Sequence, residues 1–229
     1  MFFRRALFLL CFGGLVSSCG EEVRNDAFLD GYAQKNKLWL SKTIPVCWEN
    51  GGFGHWRYKA LVKRTISRTW QHYSSLRFVG WGTCTRASKG VRIRIQDSKI
   101  FARGIGRVLD GVRNGVVLNF TFRNWSRGCQ KNKEQCIKMN AVHEFGHVIG
   151  LAHEHNRKDR KGNCKKTSQG TDGDTYLTTY DAYSIMNYCG DPYRLKGGAP
   201  LSRGDIVSVR KLYGRSDRSS KLPTRCYYV

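Results

Sequence analysis

The stretch Ala141–Arg160, AVHEFGHVIGLAHEHNRKDR, holds four of the chain's six histidines. His143 and His147 are four residues apart. On a helix that spacing puts both imidazoles on one face, a turn from each other. Both can then reach a single ion at the ~2.0–2.1 Å bond length of a zinc–nitrogen contact. Glu144, beside the first histidine, is placed to approach a water held by that ion. Gly150 lets the chain leave the helix and turn sharply, and that turn can return His153 as a third ligand. Three protein ligands leave a fourth position open for water, which suits a catalytic site; a structural site is closed. The competing reading is three histidines satisfied within a core.

Downstream, Tyr180–Tyr188 reads YDAYSIMNY. It places Met186 where it can form an apolar floor beneath the ion, with Tyr188 two residues later. The long histidine signature with a methionine turn is the metzincin pattern. HEFGHVIGLAHEHNRKDR together with SIMNY resembles an astacin-type metzincin, matching at His143, Glu144, His147, Gly150, His153, Glu154, Arg157, Asp159 and Arg160. It departs at Leu151, where astacins usually carry Phe. AVHEFGHVIGLAH and the closing LSRGDIVSVRKLYG resemble matrixins instead. The likeness spans residues 38–214.

That resemblance implies a zinc endopeptidase acting on protein or peptide substrates. Zn2+ is held by His143, His147 and His153, with Tyr188 as an additional ligand that swings away on substrate binding. Glu144 and Tyr188 are then the catalytic residues; the alternative for Tyr188 is a buried aromatic with a bonded hydroxyl. The implied fold is an α+β zincin domain. It has a twisted, mostly parallel sheet with an antiparallel edge strand, an active-site helix and a C-terminal helix. Substrate would lie extended and antiparallel along the edge strand, for which GIGRVLDG (Gly104–Gly111) is the candidate. In astacins the glutamate matched by Glu154 is tied to the N-terminus made by propeptide removal. The segment between Cys19 and Leu38 is short for a propeptide, so Glu154 is expected to pair with Arg157 or Arg160. His155 is expected at the surface or behind the ligands.

The rest of the chain fits this layout. Tyr58, Leu61, Val62, Ile66, Trp70 and Tyr73 keep helical spacing. VRIRIQ alternates Val91, Ile93 and Ile95 against Arg92, Arg94 and Gln96, as a half-buried strand does. VVLNFTF puts Val116, Leu118, Phe120 and Phe122 on one face. Asn132 and Gln135 resemble a capping box for a helix running to about Ile149. Ser202 and Asp205 cap a last helix that Gly214 ends.

At 229 residues the chain suits one domain with a sizeable core. Residues 1–18 read as a signal: Arg4 and Arg5, an apolar run from Ala6 to Val16, then small residues. VSSC, ending at Cys19, resembles a bacterial lipobox, which would make Cys19 a lipidated, membrane-attached N-terminus. Plain cleavage near Ser18, with release, is the alternative. The chain is thus expected to be exported, as a cell-envelope lipoprotein or a secreted protein. Residues 19–37 read as a tether and 38–229 as the catalytic domain.

Export means an oxidising compartment, and seven cysteines follow Cys19 with no C-x-x-C among them, so they read as disulfides. Cys129 and Cys136 can close a small loop, and Cys164 with Cys189 would clamp another.

The formal charge of +23, two fewer without residues 1–18, favours anionic partners: acidic protein substrates, lipopolysaccharide, nucleic acid. No nucleic-acid motif with interleaved aromatics is present. A second function class follows from the charge: a basic, surface-anchored protein that grips an anionic polymer and keeps zinc without catalysis. The intact Glu144 and the open fourth position weigh against it.

Overall fold

The computed structural model describes residues 31–50, 53–162, 167–177, 179–189 and 201–217. The signal reading and Cys19 lie outside the described residues. Apolar β-branched runs form a five-stranded sheet in the order β3 (Arg77–Thr83), β2 (Thr43–Trp48), β4 (Val91–Ile95), β6 (Val116–Leu118), β5 (Phe101–Ala102). The first three pairings are parallel, and β5 runs antiparallel to β6. With the helices packed on it, this is the expected α+β architecture: a mostly parallel sheet with an antiparallel edge strand.

The edge strand is not the predicted one. Within Gly104–Gly111, Gly106–Leu109 forms a 3-10 turn. Ile105 and Leu109 are both buried, and that i, i+4 spacing belongs to a helical turn. Gly106 adopts φ +64°, and a Cβ there would collide with the Lys37 carbonyl. The edge is Phe101–Ala102, just upstream. VRIRIQ differs too. Arg92 is buried, its guanidinium donating to Glu49 at 2.8 and 3.1 Å. β4 is an inner parallel strand, and such strands are covered on both faces.

The predicted helix over Tyr58–Tyr73 is α1 (Trp56–Arg68) followed by the short α2 (Trp70–Tyr73). Thr65 and Thr69 donate their hydroxyls to the carbonyls four residues back, at 2.8 and 2.7 Å. Such back-bonding bends helices, and the chain breaks at Thr69. Trp70 then donates its indole N–H to Val142 O at 2.9 Å, fixing α2 against the next long helix.

That helix, α4 (Lys133–Val148), follows the short α3 (Arg127–Lys131). The predicted Asn132–Gln135 capping box does not form: Asn132 makes no side-chain cap bond, and its own N–H is already spent on Gly128 O. Ser126 caps α3 instead, and a Cys129–Cys136 disulfide joins the two helices. Phe145, on the helix face away from the histidines, packs on Phe78 and Trp81 of the sheet at 5.1 and 5.7 Å between ring centroids. α5 (Arg203–Tyr213) carries the predicted Ser202–Asp205 capping box and ends at Gly214 with φ +81°.

Packing begins before Leu38, within the segment read as a tether. β1 (Tyr32–Ala33) pairs with β7 (Thr175–Tyr176), and Ala33 also bridges to Leu151. Tyr32 and Ala33 are buried, so two small apolar contacts override the polar composition around them.

A second disulfide, Cys47–Cys84, ties β2 to the end of β3. Cys189 is also disulfide-bonded; Cys164, its expected partner, lies outside the described residues. Five described cysteines are thus oxidised, as an oxidising compartment allows. Among the described residues no helix is long and apolar enough to cross a membrane.

Candidate metal centre

α4 carries His143 and His147 on one face, and both are buried. After Val148 the chain leaves the helix. Gly150 takes φ +100°, a conformation that side chains other than glycine rarely adopt, and a Cβ there would press on Leu38. The turn delivers His153 back to the helix. Its Nε2 lies 3.2 Å from His143 Nε2 and 3.1 Å from His147 Nε2.

Each ring is oriented from behind. The Nδ1–H of His143 donates to Ile185 O at 2.7 Å, that of His147 to Leu151 O at 2.9 Å, and that of His153 to Gln169 O at 2.8 Å. A carbonyl only accepts, so each Nδ1 carries the proton and each Nε2 presents a lone pair inward. Burial keeps all three rings neutral: His143 is pushed down to about 3, and His147 and His153 are also lowered. Three converging lone pairs repel one another unless a cation lies between them. Donor atoms of a tetrahedral zinc site with ~2.0–2.1 Å bonds sit about 3.3 Å apart, which these separations match. The triad could therefore hold a metal, and the residues present fit Zn2+.

Of the other predicted site residues, Tyr188 reaches the triad and Glu144 follows His143 on α4. The Tyr188 hydroxyl is 3.3 Å from His143 Nε2, and its ring stacks on His143 at 5.2 Å and 14°. Tyr188 is 40 % exposed, so it is not the enclosed aromatic of the alternative reading. Glu144 is buried; its Oε2 has no hydrogen-bond partner among the described residues. Burial pushes its carboxyl up to about 8, against the pull of the Ala102 N–H on the edge strand and of Lys99.

Met186 is buried under α4, as expected. The contact falls on Gly146, between the two helical histidines: a Cβ there would overlap Met186 Sδ. A glycine inside a helix costs about 1 kcal/mol against alanine, so Gly146 within the histidine signature itself points to a close contact.

Glu154 pairs locally, as expected, with Arg157 Nη1 at 3.3 Å, and also accepts from the Asp181 N–H at 2.9 Å. Arg160 instead donates to His155 O. His155 is fully buried rather than at the surface. It lies behind Tyr188, ring on ring at 4.8 Å.

Two residues essential to this geometry are not marked as site residues by the sequence, although Asp205 is read there as a helix cap. Asn156 holds Gln169 in place through bonds to its carbonyl at 2.8 Å and its N–H at 3.0 Å, and that carbonyl orients His153. Asp205 reaches out of its helix cap to bind Ser184 Oγ at 2.7 Å and the Ile185 N–H at 2.9 Å. It thereby fixes the methionine turn whose Ile185 carbonyl orients His143. Neither partner pair is close in sequence.

The chain shares its fold with myroilysin. One solved structure of that protein aligns with a TM-score of 0.53 at 17% identity, covering 81% of this chain and 100% of that one. A crystal structure of myroilysin gives 0.51 at 16% identity, covering 83% of this chain and 93% of that one. No protein-family profile matches the chain.

Proposed function

We propose that the protein is a zinc-dependent endopeptidase of metzincin type, exported from the cell, that hydrolyses peptide bonds with an activated water. One observation carries the reading. Three neutral histidines aim their Nε2 lone pairs at one point, and the residue after His143 on the same helix is Glu144, buried with an unpartnered Oε2. The fold shared with myroilysin supports it.

Zn2+ bound by His143, His147 and His153 would polarise the scissile carbonyl and lower the pKa of water to ~7. Glu144 accepts a proton from the attacking water at a carboxylate oxygen and returns it to the leaving amine nitrogen. The Tyr188 hydroxyl donates a hydrogen bond to the carbonyl oxygen as it becomes anionic. An extended substrate pairs with the outer edge of β5. The alternative of a zinc-holding binding protein gives no role to Glu144, a buried carboxylate that burial alone makes costly.

The test is cleavage of denatured casein by the purified chain, with and without chelator. Chelation should abolish cleavage and added Zn2+ restore it. Glu144→Ala should keep stoichiometric zinc and lose at least about a hundredfold in kcat. Undiminished cleavage by that variant would overturn the mechanism.

A further inference from the structure

Two neighbouring segments carry a dense, nearly acid-free set of cations. α1 contains five Lys or Arg residues and no acid. Residues 123–138, through α3 into α4, contain five more and a single acid, Glu134. These segments adjoin: Arg57 in the first turn of α1 binds Glu134 in the first turn of α4 at 2.7 Å.

On α1 the buried residues Leu61, Val62, Thr65 and Ile66 define the inner side. Arg57, Lys63, Arg64 and Arg68 stand on the opposite, exposed side, as 3.6-residue periodicity requires. Two indoles flank this basic field. Trp56 opens α1 and is 68 % exposed; Trp125 precedes α3 and is 43 % exposed, its ring stacked on Phe122 at 6.0 Å. Both are large apolar groups left in water beside cations.

We propose that this face docks on an anionic lipid bilayer. A linear polyanion would need only the cations. Exposed indoles beside a lysine and arginine field are the combination that seats a protein in the headgroup layer: the indoles enter the interface and the cations meet the phosphates. From Glu134 to His143 the helix rises about 14 Å at ~1.5 Å per residue. α1 itself runs alongside α4, from Arg57 at Glu134 to Trp70, just past its end, at Val142, with its buried side turned inward and its cations outward. The proposal is independent of catalysis.

Co-flotation of the full chain with vesicles tests it. Binding to phosphatidylcholine vesicles containing phosphatidylglycerol is compared with binding to pure phosphatidylcholine; the ratio cancels any contribution of the N-terminal segment common to both. The wild type should favour the anionic vesicles strongly. The exposed triple change Lys63→Glu, Arg64→Glu, Arg68→Glu should lower that ratio at least about tenfold. Trp56→Ser with Trp125→Ser should lower partition several-fold without changing the fold, checked by circular dichroism. Metal content should stay at wild-type level in both variants. No preference of the wild type for anionic vesicles, or an unchanged ratio in the triple variant, would overturn the proposal. Heparin binding that needs the cations, with vesicle partition indifferent to both tryptophans, would overturn it in favour of a polymeric polyanion.

Discussion

His143 donates its Nδ1–H to the carbonyl oxygen of Ile185 at 2.7 Å, and the N–H of the same Ile185 donates to Asp205 at 2.9 Å. A candidate ligand is thus oriented by a turn that is itself held by a helix cap. Asp205→Ala should lower zinc affinity by about 10–100-fold, the usual cost of losing support behind a ligand. Competition with a chromophoric chelator measures it. A folded variant with wild-type affinity would show that the Met186 turn stands without Asp205.

Gly146 and Met186 occupy each other's space so closely that a methyl group does not fit. Alanine ordinarily favours a helix over glycine by about 1 kcal/mol, but overpacking costs about 1–3 kcal/mol. Gly146→Ala should therefore destabilise the fold in denaturant unfolding. Combining it with Met186→Ala should cost less than the sum of the single changes, because the second change makes room for the first.

Tyr188→Phe keeps the ring that stacks on His143 and removes the hydroxyl 3.3 Å from its Nε2. If that hydroxyl stabilises the anionic oxygen, kcat should fall by about 10²–10³, with KM and zinc content little changed. A loss confined to KM would move Tyr188 from chemistry to binding.

The Arg92 guanidinium, hydrogen-bonded to Glu49, holds that carboxyl below its ordinary 4.5. In the unfolded chain Glu49 binds its proton at the higher, ordinary value. The pair's contribution is therefore complete above pH 4.5 and is lost as pH falls through the lower folded value. Melting temperature followed from about pH 7 to about pH 3 should drop more steeply for the wild type than for Glu49→Gln. That variant should already be less stable at neutral pH, since it leaves Arg92 buried without its anion.

The local parts of the site were legible in the sequence. The spacing of His143 and His147, the exit at Gly150 and the Ser202–Asp205 cap all depend on residues within a few positions of one another. So does the Cys129–Cys136 loop. The edge strand was misplaced because Ile105 and Leu109 are buried through a tight turn, which a pattern of apolar residues does not distinguish from a strand. Asn156 with Gln169, Asp205 with Ile185, and Arg92 with Glu49 are contacts between distant segments. Each involves a polar residue whose type fits an exposed position equally well, so only the folded chain reveals its partner.

β1 has a mechanical consequence. Tyr32 O accepts from the Ala152 N–H at 2.8 Å, and Gln34 N–H donates to Gly150 O at 2.9 Å. These two bonds bracket Leu151, two residues before His153. Arg157 adds a third fastening, donating to Gly31 O at 3.0 Å. β7 holds the same segment from the other side, Leu177 N–H donating to Gly31 O at 2.8 Å, so tension on the chain upstream of Gly31 is shared by β7 and the loop that carries His153. The anchorage of the N-terminal strand and the placement of His153 are therefore mechanically coupled.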